Sequence, residues 1–167
     1  MAQKIIKDDK KYERIFGWAR DKLNDIVGKY DGNKVYYTII DLHVVVRTLL
    51  RLTDIPEEVP SLIDYGKEKI TNYLKRCLTI HKGYQVPTLV PETSTPFLAA
   101  FRFFISIIKN CHLEFPGFST IQESTKINVN KCKYPDIGGY GGIGSNEPDL
   151  VHTFHGMRLL KNIDSDH

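Results

Sequence analysis

The stretch GGYGGIGSNEPDLVHTFHGMRLL, residues 138–160, decides the fold prediction because it joins a glycine-rich turn to a helical segment. The glycines permit positive φ angles and a close backbone passage. The segment 149–160 predicts a helix, with Ser145 or Asn146 as its N-cap and Pro148 in its first turn. The stretch therefore predicts a tight turn that leads into the last helix of the chain.

A related pattern precedes this stretch. Residues 75–85 (KRCLTIHKGYQ) share a cysteine and a glycine with residues 130–140 (NKCKYPDIGGY), at a step of 55 residues. The pair Asp41-Leu42 recurs as Asp149-Leu150, two steps of 54 residues further on. A fixed period of this length is typical of stacked supersecondary units. Three helical hairpins fit the chain, and chance recurrence is the alternative, because the match is by residue class more than by identity.

Hydrophobic periodicity predicts five further helices, at residues 12–27, 36–52, 62–78, 95–110 and 119–132. The β-branched residues of 36–52 would also suit a strand, but the length of the run favours a buried helix. Gly83 and Pro87 predict a loop. The helix at 95–110 is apolar nearly all round, so both of its sides should be covered. The prediction is a single all-α domain over residues 1–167.

Composition and charge exclude several classes of protein. Lys and Arg number 23 against 20 Asp and Glu, a net charge of +3 that is too small and too scattered for a nucleic-acid-binding stripe. The longest apolar stretch, residues 96–108, is shorter than the roughly 20 residues of a membrane span and contains Arg102. Three cysteines without a close pair, and the absence of an apolar leader, predict a cytoplasmic protein.

Residues 138–160 resemble the repeat of protein prenyltransferase β subunits and terpenoid cyclases. In that repeat a GGF or GGY turn leads through an acidic loop into an inner helix that begins D..(Y/H)TF.G(L/M). Residues 72–101 are similar to a degenerate form of the unit, and residues 41–54 look like one more inner helix. The resemblance implies an α/α toroid, in which two concentric rings of helices surround an apolar cavity that holds an isoprenoid chain.

A complete ring of this type has about six hairpins, and the chain supplies three. The expected fold is therefore an α/α-toroid-like array of three helical hairpins, which is half a ring. An open half would expose the apolar surface of its inner helices, beyond what a monomer usually exposes. We expect a homodimer or a partner chain to complete the ring; collapse into a closed three-hairpin bundle is the alternative.

Aromatic residues of the predicted inner helices could line such a cavity. Phe101, Phe104 and Phe154 are the candidates for contact with a lipid-like ligand, because apolar surface favours burial of a hydrocarbon chain. The simpler alternative is that these residues form the core. Inner helices must pack against something in either case.

Four arginines also fall on the predicted inner helices: Arg47, Arg51, Arg102 and Arg158. A prenyl diphosphate would need such cations, because guanidinium groups bind phosphate oxygens in pairs. Arg102 and Arg158 are the candidate ligand-binding arginines. Arg102 lies in an apolar segment, so it must pair with a carboxylate, reach water or meet an anionic ligand. Glu92 and Asp149 are the candidate carboxylates.

The resemblance also implies a zinc ion, which prenyltransferases bind through an Asp and a Cys of one inner helix and a His of the next. His152 matches that histidine, but residues 93–96 (TSTP) replace the Asp-x-Cys pair. Asp149, His152 and His155 lie at i, i+3 and i+6, so the first and the last point apart and one helix cannot close a site. As an alternative to a metal ligand, His152 is a half-buried residue at the start of an apolar helix.

Two functions follow from these patterns. The first is a prenyltransferase-like module that binds an isoprenoid or another lipid-like ligand, with transfer activity if a second chain supplies the missing zinc ligands. The acidic DxDD cluster with which terpenoid cyclases protonate their substrates does not occur in the sequence, which argues against cyclisation. The alternative function is a noncatalytic helical-repeat module for binding or assembly, with an eroded active site.

Overall fold

The computed structural model describes residues 9–28, 37–52, 58–93, 97–136, 138–143 and 145–164. Its helices are α1 (Asp9–Gly28), α2 (Ile39–Arg51), α3 (Glu58–Arg76), α4 (Leu98–Asn110), α5 (Phe118–Lys131) and α6 (Leu150–Asp164). Its strands are β1 (Leu78–His81), β2 (Tyr84–Pro87), β3 (Lys133–Tyr134) and β4 (Gly139–Tyr140). The protein is predominantly helical, which confirms the all-α prediction.

Each predicted helix corresponds to an observed one, with ends that shift by a few residues. The predicted loop is correct at Gly83 and wrong at Pro87: Pro87 is the last residue of β2, and Gly83 lies in the turn of an antiparallel hairpin of β1 and β2. Lys82 (φ 49°) and Gly83 (φ 81°) occupy its turn with positive φ angles. Two such residues form the turn type whose twist matches that of paired strands.

Helices α2, α4 and α6 lie side by side in chain order, so that α4 contacts both of the others. Helices α1 and α3 pack against α2, and α5 packs against α4 and α6. One core cluster, which includes Leu42, Ile70 and Phe104, joins the first four helices. A second, which includes Phe101 and Leu159, joins α4 to α5 and α6. None of the described helices has both the length and the apolar character that a membrane span requires.

Helix α2 shows why a β-branched segment becomes a helix here. Thr38 and Asp41 form a capping box: Thr38 Oγ1 accepts the Asp41 N–H (3.2 Å), and Asp41 Oδ2 accepts the Thr38 N–H (2.7 Å). The buried side chains of α2 recur at helical spacing and face the core. The cap and the packed face together outweigh the strand preference of Val44, Val45 and Val46.

The 55-residue sequence period corresponds to a recurrence in the structure. Cys77 and Cys132 each end a helix, α3 and α5, and each is buried. The Cys77 carbonyl accepts the N–H of Thr88 (2.8 Å), and the Cys132 carbonyl accepts the N–H of Gly141 (2.9 Å). A two-stranded hairpin thus follows each helix and is closed by the same hydrogen bond before the chain enters α4 or α6.

Candidate functional site

Helix α6 begins at Leu150 and is capped by Asp149, so the predicted caps Ser145 and Asn146 are wrong. Asp149 Oδ1 accepts the backbone N–H of His152 at 2.8 Å, as an N-cap side chain does. The Ser145 hydroxyl is engaged in a local turn, where it accepts the N–H of Glu147. Pro148, expected in the first turn, instead precedes the helix.

The glycine-rich turn is fastened to α6 by close contacts. Thr153 Oγ1 accepts the N–H of Tyr140 at 2.9 Å. A Cβ on Gly156 would lie 2.7 Å from Cγ of Tyr140, and a Cβ on Gly139 would lie 2.9 Å from Cβ of Pro148. Backbone and rings could not approach so closely with larger residues. The residues that carry the family resemblance therefore hold the turn against the helix.

The His152 side chain is hydrogen-bonded to Asp149, the residue that caps the same helix. Its Nδ1 donates to Asp149 Oδ2 at 2.5 Å, and its ring meets the edge of the Phe97 ring at 5.4 Å between centroids. Hydrogen bonds from His152 lower the pKa of the Asp149 carboxyl. Within the described part of the chain, no three His, Cys, Asp or Glu side chains are placed to hold a metal ion. His155 lies beside Arg102 instead.

The three cysteines carry unpaired, buried thiols. Burial raises the pKa of Cys77 and of Cys111 to about 12, and it raises the pKa of Cys132 as well. Protonated thiols are poor nucleophiles and poor metal ligands. The cysteines therefore belong to the core and not to a reactive site.

The row of α2, α4 and α6 also presents a face of cations and aromatic rings. We call it the arginine face; its residues are Arg47, Arg102, Phe103, Phe154, His155 and Arg158. The Arg102 guanidinium lies 5.2 Å from the ring centroid of Phe103 and 5.4 Å from that of Phe154. Arg158 lies 4.9 Å from the same Phe154 ring. Cations at these distances are attracted by the ring faces.

The predicted carboxylate partners of Arg102 are wrong. Glu92 pairs with Arg76 (3.1 Å), and Asp149 pairs with His152. Nη1 of Arg102 lies 3.3 Å from Nδ1 of His155. No carboxylate of the described residues is within salt-bridge distance of the Arg102 guanidinium.

The arginine face is therefore electrostatically unbalanced. Burial, Arg158 and Arg47, in that order, lower the pKa of the Arg102 guanidinium. Arginine stays charged in proteins, so the lowered pKa reports the burial of a charged group and, after it, repulsion from Arg158 and Arg47, and not a neutral side chain. An anion on this face would relieve that repulsion.

His43 borders the arginine face and was not among the residues that sequence reasoning singled out. It is 6% exposed, and its ring centroid lies 4.7 Å from that of Phe103. Burial, Arg47 and Arg102 lower its pKa to about 4. Its spacing of four residues from Arg47 places both on one side of α2, and this was the signal that could have identified it.

The structure separates the predicted ligand-binding residues into two groups. Phe101 and Phe104 have no exposed surface and lie in the two core clusters, as the core alternative describes. Arg102, Phe154 and Arg158 come together on the arginine face. Phe154 is 49% exposed there.

Helix α6 has a second exposed feature, a stripe of large apolar side chains. We call it the α6 stripe; its residues are Leu150, Val151, Phe154 and Met157. Leu150 is 89% exposed and Met157 is 62% exposed. Single exposed apolar residues are ordinary, but four on one helix form a contiguous patch, which is typical of an interaction surface.

The sequence matches no protein-family model and no curated protein, and the structure matches no solved structure. The likeness to prenyltransferase repeats therefore stays a prediction. So does the half-ring arrangement of the hairpins.

Proposed function

We propose that the protein is a helical-repeat binding module whose arginine face takes an amphiphilic ligand, an isoprenoid or another lipid-like molecule with an anionic head group. One observation carries the proposal: three arginines from three helices share this face without a carboxylate partner among the described residues. Like charges held together at a partly buried site favour an anionic ligand, and guanidinium groups suit phosphate oxygens.

The apolar part of the ligand would lie along the α6 stripe. Phe154 belongs to both the arginine face and the α6 stripe, so head group and hydrocarbon would meet at its ring. Burying the exposed surface of Phe154 and Leu150 would favour binding by about 25 cal/mol per Å². This continuity of charge and apolar surface supports an amphiphile over a small inorganic anion.

Binding, and not transfer, is the function that these residues support. Asp149 and His152 are engaged with each other, and the Asp-x-Cys pair of a zinc site does not occur in the sequence. Transfer chemistry would need further ligands from a second chain. The proposal thus keeps the isoprenoid-type ligand and assigns no catalytic residue.

The direct test is a fluorescence titration of the full chain with a fluorescent prenyl diphosphate. The wild-type protein should bind it, and Arg102→Ala should weaken binding by about tenfold or more, as expected for a lost contact to a charged group. Arg20→Ala is the matched control, because Arg20 is an exposed arginine of α1 that pairs with Asp21. Equal affinity of Arg102→Ala and the wild type would refute the proposal.

We also propose that a second copy of the chain covers part of the α6 stripe. Each helix of the row packs against the next, and α6 is the last of them in the described chain. Sedimentation of the wild type should give a dimer, and Met157→Glu should shift it to the monomer. A wild type that sediments as a strict monomer would contradict this proposal. A cytoplasmic location stays a prediction from the sequence.

A further inference from the structure

His43 is a buried histidine with a hydrogen-bonding atom that has no protein partner. It is 6% exposed, and within the described part of the chain its Nδ1 lacks a hydrogen bond. Buried polar atoms in folded proteins almost always have a partner. An unpartnered buried nitrogen beside the arginine face therefore calls for a functional explanation.

The surroundings of His43 indicate what that partner would be. Arg47, one turn further along α2, and Arg102 of α4 are the charged groups that act on it. Together with burial they lower its pKa to about 4, so the ring is neutral near pH 7. A neutral imidazole has one N–H donor. Because both of the charged groups that act on the ring are cations, the acceptor that best fits beside this donor is an anion.

We propose that His43, Arg47 and Arg102 form an oxyanion subsite that binds a phosphate-type group. The inference rests on the proposed function and assigns the head group of its ligand to this corner of the arginine face. One phosphate oxygen would accept from Nδ1–H of His43, in the tautomer that carries its proton there and with the ring turned to expose that atom, and the others would accept from the two guanidinium groups. A phosphate group has three acceptor oxygens and a charge of up to −2, whereas a carboxylate has two oxygens in one plane and a charge of −1, so a subsite with two cations favours phosphate or diphosphate over carboxylate.

Phe103 completes the subsite as its apolar wall. The centroid of its ring lies 4.7 Å from the centroid of the His43 ring. The Phe103 centroid lies 5.2 Å from Cζ of the Arg102 guanidinium. The ring therefore contacts both donor groups and covers part of their surface. Hydrogen bonds to a charged group are strengthened where water is excluded.

The first test is calorimetric titration of the full chain with inorganic pyrophosphate at low salt. His43→Phe keeps an aromatic ring and removes the donor, so binding should weaken by about tenfold or more. His43→Asn, which can donate again, should restore part of the affinity. His81→Phe is the matched control, because His81 of β1 also has an unpartnered ring nitrogen but lies outside the arginine face. Unchanged affinity in His43→Phe would overturn the proposal.

A second test uses the wild type alone and so does not depend on how the variants fold. The ring protons of His43, followed by NMR over a pH titration, should report a higher pKa with saturating pyrophosphate than without it, because a bound anion favours the charged imidazole. An unchanged His43 titration at saturation would also overturn the subsite.

The two proposals fail in different ways. If the fluorescent prenyl diphosphate binds in an Arg102-dependent way but His43→Phe binds as the wild type does, the subsite is wrong and the proposed function stands. If the wild type does not bind the prenyl diphosphate at all, the proposed function is wrong, whatever the result for His43→Phe. Binding of acetate as tightly as pyrophosphate would contradict the assignment to phosphate-type groups.

Discussion

Helices α4 and α6 belong to the same row, but their surroundings differ. Helix α4 packs against α2 and α6, and eight of its side chains are buried. Helix α6 contacts α4, α5 and strand β4, but no further helix of the row, and its Leu150 and Met157 are among the most exposed apolar side chains described. Helix α4 (LAAFRFFISIIKN) is also the more apolar of the two, and α6 (LVHTFHGMRLLKNID) mixes apolar with polar residues. The composition of each helix thus agrees with its position in the row, except at the exposed apolar side chains of α6.

The largest effect should come from the α4 core. Phe101→Ala removes a fully buried ring between α4, α5 and α6, and should lower the free energy of unfolding by about 3–5 kcal/mol. Phe154→Ala on α6 should lower it by less, about 1 kcal/mol, because only half of the ring is buried and its contacts with Arg102 and Arg158 are partly exposed. Urea denaturation measures both. Equal losses would show that α4 and α6 do not differ as described.

The next effect concerns the contact between α6 and the glycine-rich turn. Gly156→Ala would place a Cβ 2.7 Å from the buried Tyr140 ring, which should destabilise the protein by about 1–3 kcal/mol through overpacking. Gly17→Ala is the control: Gly17 lies inside α1, where an added methyl group would have no atom within 4 Å, so the change should stabilise by about 0.5–1 kcal/mol. Thermal unfolding of the two variants should move in opposite directions, and a neutral Gly156→Ala would contradict the close contact.

The smallest effect concerns the start of α6. The pKa of Asp149 is below its ordinary value of 3.8, because the carboxylate accepts hydrogen bonds from His152. A lowered native pKa stabilises the fold above the unfolded-state pKa, and this contribution is lost as the pH falls through the native value. Asp149→Ala should therefore be less stable than the wild type near neutral pH, with the difference shrinking in acid.

Urea midpoints at a series of pH values test this expectation. Asp149→Asn serves as the control, because asparagine still caps a helix but does not ionise. Its stability relative to Asp149→Ala should be nearly independent of pH in the acid range. A constant gap between the wild type and Asp149→Ala down to strongly acid pH would rule out an ionised cap.

The helices were predictable because each carries an apolar face at helical spacing, as Leu42, Val46 and Leu49 do on α2. The hairpin of β1 and β2 was missed because its strands are four residues long and its turn, Lys82-Gly83, reads as a loop. Short strands are held by neighbouring elements, and such contacts are not visible in local sequence. Pairing of this kind depends on context.

The candidate site was predictable in part. Arg102, Phe154 and Arg158 are unusual residues on apolar helices, and their meeting on one face follows from the side-by-side packing of α4 and α6. Phe101 and Phe104 are phenylalanines on predicted inner helices, as Phe154 is, but their rings are buried in the core. Which side of a helix is covered depends on its neighbours, so sequence periodicity left their role open.

The most direct test of the arginine face is NMR mapping of the wild-type protein titrated with farnesyl diphosphate. Resonances on α2, α4 and α6 should shift, with the largest changes at Arg47, Arg102 and Phe154 and little change on α1. Changes confined to α1 and α3, or no change at saturating ligand, would contradict this prediction.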